Sequence, residues 1–253
     1  PGRFQRPFHR RFNRPLNRLL RAVQSFKQQT ISEPPTLANN RPVQFQAILF
    51  DFDGTLAPNL DLADMRRQIA AMAAATQTPA DVYADLYIVE IITATSAWMR
   101  EQNQHKQADE FEAASHQRII DIEVAAAQTT NLFPQARSKL TALREQNTKL
   151  GIVTRNCRAA VLQMFPDLDD YIDALHARDD TVHLKPDVRH LQANLDALNC
   201  SAQQSAMVGD GALDMQAGKD LNMYCIGVLS GSNDAQALLN AGANEVLQDY
   251  QEI

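Results

Sequence analysis

Residues 47–56, with the sequence AILFDFDGTL, constrain the fold of this chain more than any other segment. Four apolar residues run directly into two aspartates and a glycine, and a short apolar run that ends in turn residues predicts a fully buried strand. Asp51 and Asp53 then emerge together at the carboxyl end of that strand, where open α/β sheets place their chemistry. Two carboxylates this close repel each other unless a cation lies between them or one of them keeps its proton.

The chain after residue 131 alternates short apolar runs with segments of helical periodicity. Such alternation predicts right-handed crossovers and a parallel sheet that is covered by helices on both faces. The carboxyl ends of the buried strands then meet at one edge of the sheet. We predict strands at 149–154, 172–177, 205–210, 223–228 and 245–247, and helices at 134–146, 156–164, 186–198, 213–221 and 234–240.

Residues 58–130 have a different character, because they contain no glycine and are rich in Ala, Gln, Ile and Met. Apolar residues recur there at helical spacing. We predict three helices, at about 61–76, 79–102 and 106–128. A helical segment this long exceeds a simple crossover between two strands. The predicted fold is α/β: a Rossmann-like parallel sheet core at 43–57 and 131–253, with an inserted all-helical cap domain at 58–130.

The first 30 residues form a basic arm that carries eight basic residues and no acid, whereas the other 16 basic and 30 acidic residues leave the rest of the chain at −14. Apolar residues recur every three or four positions, which is typical of a helix on an anionic membrane or in a protein partner's groove, although Pro7 and Pro15 divide it. A transit peptide, or an arm packed on its own acidic body, explains the same pattern. Nucleic acid is disfavoured, because the body is acidic. Residues 31–42, rich in Pro and Asn, predict a linker.

The composition, with 45% hydrophobic and 21% charged residues, is that of an ordinary globular protein. No apolar run approaches the roughly 20 residues that span a bilayer. Cys157, Cys200 and Cys225 are far apart and lack C-x-x-C spacing, which argues against a disulfide framework or a zinc site. We therefore predict a cytoplasmic protein, peripheral at a membrane if the arm binds lipid.

Polar side chains follow several of the predicted strands. Thr154 ends the second strand, Lys185 precedes Pro186, and Asp210 ends another apolar run four residues before Asp214. Taken singly, a Thr at a strand end is a helix cap and an isolated Lys is a surface charge. Taken together with the first Asp pair at one sheet edge, they predict a site that combines clustered carboxylates with groups for an anionic oxygen.

These residues lie in motifs that resemble, in order, all four motifs of the haloacid dehalogenase superfamily of phosphotransferases. DFDGT carries Asp51 and Asp53, IVT carries Thr154, KPD carries Lys185, and GDGALD carries Asp210 and Asp214. The resemblance runs from about residue 46 to 247 and is greatest to the phosphoglycolate phosphatase-like branch with its helical cap. The basic arm lies outside it.

The resemblance implies a phosphoric monoester hydrolase. Asp51 would be the nucleophile that forms an aspartyl-phosphate, and Asp53 would protonate the leaving oxygen and then activate water. Mg²⁺ would lie between Asp51, the backbone carbonyl of Asp53, and Asp210, with Asp214 completing or orienting its ligand shell.

Thr154, Arg155 and Lys185 would hold the phosphoryl group. Asp53 favours a phosphate ester over a halide, because a departing halide needs no proton. The substrate would be a small phosphorylated metabolite, phosphoglycolate-like or a sugar phosphate. Two alternatives stay open: a phosphomutase of the β-phosphoglucomutase type, and a docking or assembly protein that uses the arm and keeps a phosphatase fold.

Overall fold

The computed structural model describes residues 44–253. The predicted basic arm and linker lie outside the described residues. Within the described part, six strands form one sheet in the order β3-β2-β1-β4-β5-β6, and every neighbouring pair is parallel. The strands are β1 (Ala47–Phe50), β2 (Lys149–Val153), β3 (Ala174–His176), β4 (Ser205–Gly209), β5 (Tyr224–Val228) and β6 (Glu245–Leu247). The predicted Rossmann-like α/β fold class is confirmed.

Helices cover both faces of this sheet, as expected for parallel strands. The helices that pack on the sheet, numbered in chain order, are α4 (Ala136–Glu145), α5 (Arg158–Met164), α6 (Val188–Leu198), α7 (Ala212–Asp220) and α8 (Ala235–Ala241). The strand residues alternate between the two faces: Ile48 and Phe50 pack in one cluster with α4 and α5, and Ala47 and Leu49 pack in the other with α6 and α7.

Three helices between β1 and β2 share a separate hydrophobic cluster, which includes Ile69, Ile92 and Ile119. They are α1 (Leu62–Ala75), α2 (Ile88–Glu101) and α3 (His105–Ala127). The two chain segments that join them to the sheet run side by side, because the Phe133 amide donates to the Leu56 carbonyl at 2.8 Å. We call these three helices the cap helices.

The predicted start of the second cap helix, at residue 79, is wrong. Pro79 has extended backbone angles and is followed by a short 3-10 turn, and α2 begins only at Ile88. The loop between them leaves carbonyls outside any helix, and the Arg66 guanidinium of α1 donates to two of them, those of Ala84 and Leu86. A side chain distant in sequence thus stabilises a loop where local periodicity predicts helix.

Within residues 44–253, every helix is too short or too polar to cross a lipid bilayer.

Candidate active site

The central strand and its two neighbours deliver side chains to one edge of the sheet. The register pairs Phe50 of β1 with Ile152 of β2 and with Val208 of β4, so these strands end level with one another. Asp51 directly follows β1, Thr154 directly follows β2, and Asp210 directly follows β4. The predicted convergence at this edge is therefore present.

Three carboxylates form a cluster at this edge. Asp51, Asp210 and Asp214 each offer one oxygen, and these oxygens all lie within 4.8 Å of one another. Asp214 returns to the edge because α7 begins directly after β4, and its carboxylate accepts a bond from the Gly211 amide at 3.0 Å. We call these three residues the acid cluster.

The Asp210 carboxylate is oriented by two loops that come from other parts of the chain. It accepts bonds from the Ser232 amide at 2.7 Å and the Asn59 side-chain amide at 3.4 Å. The loop after β5 approaches very closely, since a Cβ on Gly231 would lie 1.9 Å from an Asp210 oxygen. Only glycine fits at that position without moving the carboxylate.

Lys185 balances part of the acid cluster's negative charge. Its side chain is 2% exposed, and its ammonium donates to Asp51 at 2.8 Å, to Asp214 at 2.5 Å and to the Val153 carbonyl at 2.7 Å. Burial alone would lower the pKa of Lys185, but the carboxylates of Asp214 and Asp51 raise it above its ordinary value. The group therefore keeps its positive charge.

The electrostatics of the remaining acids follow from the same crowding. Burial, and then the negative charge of Asp51, raise the pKa of Asp53 to about 8, although the Asn156 amide donates to both of its oxygens at 3.1 Å. The same two causes raise the pKa of Asp214, against the opposing effect of Lys185. A carboxyl with a pKa near 8 holds its proton at neutral pH, so Asp53 can donate it.

Thr154 and Arg155 take different positions at the end of β2. Thr154 is buried and its hydroxyl accepts a bond from the Asn156 amide at 3.0 Å; it does not cap α5, whose first flanking residue is Cys157. The Arg155 guanidinium donates to both oxygens of Glu90 in α2, at 2.8 and 2.9 Å, and to the Lys185 carbonyl. Arg155 therefore joins the sheet edge to the cap helices.

A second ion pair makes the same connection and is more deeply buried. Glu123 of α3 is 2% exposed and Arg178 is 8% exposed, and the Arg178 guanidinium donates to both oxygens of Glu123. Arg178 also donates to the Arg155 carbonyl at 2.9 Å, and Glu123 accepts from the Cys157 amide at 3.2 Å. The two pairs thus form one connected network between sheet and cap helices.

Sequence reasoning missed several residues that build this site. Asn156 follows Thr154 by two positions, so its place next to the motif was a usable signal. Asn59 lies only three residues after the DFDGTL segment and carried the same kind of signal, whereas Ser232 and Glu90 carried none, because the fold brings their segments to the edge from elsewhere. Above the acid cluster lies a cavity of about 610 Å³, lined on the sheet side by the site residues and on the other by the cap helices and their loops.

The family model of the haloacid dehalogenase-like hydrolases matches residues 48–228, which include all four motif segments and the cap helices. The chain belongs to this family. A phosphoglycolate phosphatase from Yersinia pestis is 28% identical over 221 residues, which cover 83% of this chain and 94% of the relative. Membership in the hydrolase family, together with such relatives, supports a hydrolytic phosphatase, as the sequence analysis predicts.

Solved haloacid dehalogenase-like structures share this fold. A β-phosphoglucomutase from Clostridium difficile superposes with a TM-score of 0.61 at 17% identity, over 83% of this chain and 93% of that one. A haloacid dehalogenase-like hydrolase from Bacteroides fragilis gives a TM-score of 0.59 at 21% identity, over 82% and 99%. At these identities the likeness concerns the fold alone.

We predict that Glu123→Gln lowers the free energy of unfolding by about 3 kcal/mol, because it leaves the buried Arg178 guanidinium without its counter-charge. Urea denaturation measures the change. The matched control is Asp109→Asn, which removes an exposed acid from the surface pair with Arg100 on the same cap helices. An exposed pair contributes little, so the control should unfold almost like the unchanged protein. Equal behaviour of the two variants would show that the buried pair is not a structural link.

Proposed function

We propose that this protein is a Mg²⁺-dependent phosphatase that hydrolyses a small phosphorylated metabolite through an aspartyl-phosphate on Asp51. The observation that carries the proposal is the acid cluster, three carboxylate oxygens within 4.8 Å of one another next to the buried Lys185 ammonium. Family membership supports the hydrolytic class. Phosphoglycolate and sugar phosphates, the substrates that the sequence analysis predicts, are the first compounds to assay.

The acid cluster fits a divalent cation. Three carboxylates face one ammonium, so ionised acids leave an excess of two negative charges in a largely buried site. Carboxylate oxygens are the ligands that Mg²⁺ prefers. Asp51, Asp210 and Asp214 would hold the ion by their side chains, and Asp53 would hold it by its backbone carbonyl. When bound, Mg²⁺ offsets negative charge on the phosphoryl oxygens and on these acids.

Asp51 and Asp53 divide the chemistry between them. Oδ1 of Asp51 accepts bonds from Lys185 and from the Phe52 amide, which leaves Oδ2 as the candidate nucleophile. Oδ2 would form a bond to phosphorus while the ester oxygen departs with the proton of Asp53. Asp53 would then take a proton from the water that hydrolyses the aspartyl-phosphate.

Thr154 and Lys185 are the proposed partners of the phosphoryl oxygens. Lys185 would offset the repulsion between the Asp51 carboxylate and the incoming phosphate. Arg155 was also predicted to bind phosphate, and this stays a prediction. Its guanidinium is shared between Glu90 and the Lys185 carbonyl, so it would have to loosen those bonds in order to reach a phosphoryl group.

We expect Asp51→Asn to lower the turnover of p-nitrophenyl phosphate with Mg²⁺ by at least about a thousandfold, because an amide oxygen is a poor nucleophile. Asp121→Asn is the control, since this acid is exposed on α3. Undiminished turnover of the Asp51 variant would refute the nucleophile assignment.

The reaction products distinguish hydrolysis from the mutase alternative. Free phosphate formed in step with the alcohol supports hydrolysis, and a phosphorylated sugar product supports phosphoryl transfer.

We expect Asp53→Asn to lower kcat/KM for an alkyl phosphate at least about tenfold more than for p-nitrophenyl phosphate. An alkoxide needs a proton in order to leave, whereas p-nitrophenolate does not. The ratio kcat/KM is the appropriate measure, because it reports the steps up to formation of the aspartyl-phosphate. It excludes the later step, in which water hydrolyses that intermediate. Equal losses for both substrates would mean that Asp53 does not act as the general acid.

Removal of divalent ions with a chelator should abolish turnover, and added Mg²⁺ should restore it and raise the melting temperature, because the ion binds the folded chain. In Asp210→Asn the Mg²⁺ concentration for half-maximal turnover should rise at least about tenfold, since one ligand charge is lost. Asp234→Asn, at the start of α8, serves as control. A chelator-treated protein that works at full rate would contradict the metal assignment.

A further inference from the structure

The cavity above the acid cluster has an apolar wall on its cap side. Its volume of about 610 Å³ lies in the range that buries a ligand with a substantial organic part, rather than a phosphoryl group alone. The hydrophobic side chains of this wall come from all three cap helices and the loops that precede α1 and α2. They are Leu60, Leu62, Met65, Leu86, Ile88 and Ile119.

Two of the arginines in the cavity wall are already neutralised by acids. Arg155 donates to both oxygens of Glu90, and Arg178 donates to both oxygens of Glu123. A carboxylate or second phosphate on the substrate would have to displace one of these acids, and that acid would then lose its counter-charge in a partly or fully buried position.

The third arginine of the wall, Arg66, is held in a different way. Its guanidinium donates to the carbonyls of Ala84 and Leu86, and the residue between them, Asp85, is an acid that also lines the cavity. Asp85 is exposed and forms no ion pair with Arg66, so among residues 44–253 the groups that hold this guanidinium are the two loop carbonyls. A carboxylate on the substrate would have to compete with those carbonyls for Arg66.

From this wall we propose that the substrate is a phosphate monoester of an uncharged, hydrophobic alcohol, whose organic part packs on the cap helices while its phosphoryl group meets the acid cluster. The inference rests on the proposed phosphatase function and narrows its substrate class. It disfavours phosphoglycolate, because the carboxylate of that molecule would enter the apolar half of the cavity, where the arginines of the wall are already bonded to acids or to loop carbonyls.

A matched pair of phosphonates tests this inference without requiring turnover. In 3-methylbutylphosphonate two methyl groups stand where 3-phosphonopropionate has its two carboxylate oxygens, and the phosphonate ends are the same. Each phosphonate is titrated calorimetrically into the full chain in the presence of Mg²⁺. The dissociation constant of 3-methylbutylphosphonate should be at least about tenfold lower than that of 3-phosphonopropionate. Straight-chain alkylphosphonates should tighten by about three- to fourfold per added methylene until the wall is covered. Equal or tighter binding of 3-phosphonopropionate, or binding of neither compound, overturns the inference.

A variant pair assigns the effect to the wall. Leu62 lines the cavity and is 45% exposed, whereas Leu239 on α8 is 47% exposed and is absent from the lining. Leu62→Gln should weaken 3-methylbutylphosphonate about threefold and leave 3-phosphonopropionate unchanged, while Leu239→Gln should change neither. Hydrolysis of p-nitrophenyl phosphate is measured on the same preparations. Absent hydrolysis with the binding preference intact refutes the phosphatase proposal alone, and hydrolysis without the preference refutes the substrate class alone.

Discussion

The geometry of this molecule depends on the electrostatic balance at the end of its central strand. Asp51, Asp210 and Asp214 are brought together by the parallel register of β1 and β4 and by the immediate start of α7. Clustered carboxylates in a buried site are costly unless positive charge accompanies them. Lys185 supplies one such charge, and its ammonium donates hydrogen bonds to Asp51, to Asp214 and to a strand carbonyl. This cluster of opposite charges therefore couples β1, β2, α7 and the loop before α6.

The chemistry that we propose follows from the negative charge of the acid cluster that Lys185 does not neutralise. Two uncompensated negative charges suit a divalent ion, and the crowding that creates them also keeps the proton on Asp53, whose pKa rises to about 8 through burial and the charge of Asp51. In the proposed mechanism, the nucleophile and the proton donor are thus two aspartates that are two residues apart. Their different surroundings separate their roles, since Asp51 bonds to Lys185 whereas Asp53 bonds to the neutral Asn156 amide.

The fold and the acid cluster could be predicted because their signals are local. An apolar run that ends in DFDGT specifies a buried strand and its reactive end within ten residues, and the alternation after residue 131 specifies the parallel sheet. Interactions between distant segments could not be read in this way. Arg66 stabilises a loop where periodicity predicts helix, Glu90 binds Arg155 across 65 positions, and Ser232 orients Asp210 from another strand's loop. Each depends on three-dimensional placement that no short pattern encodes.

The separation between the acid cluster and the hydrophobic wall has an evolutionary consequence. The acids come from strand ends and the start of α7, whereas the wall residues come from the cap helices and their loops, which have a hydrophobic cluster of their own. Mutations in the wall can therefore accumulate without disturbing the proposed catalytic groups. Divergent descendants of such a chain would acquire new metabolic roles through the insertion while inheriting one unchanged reaction.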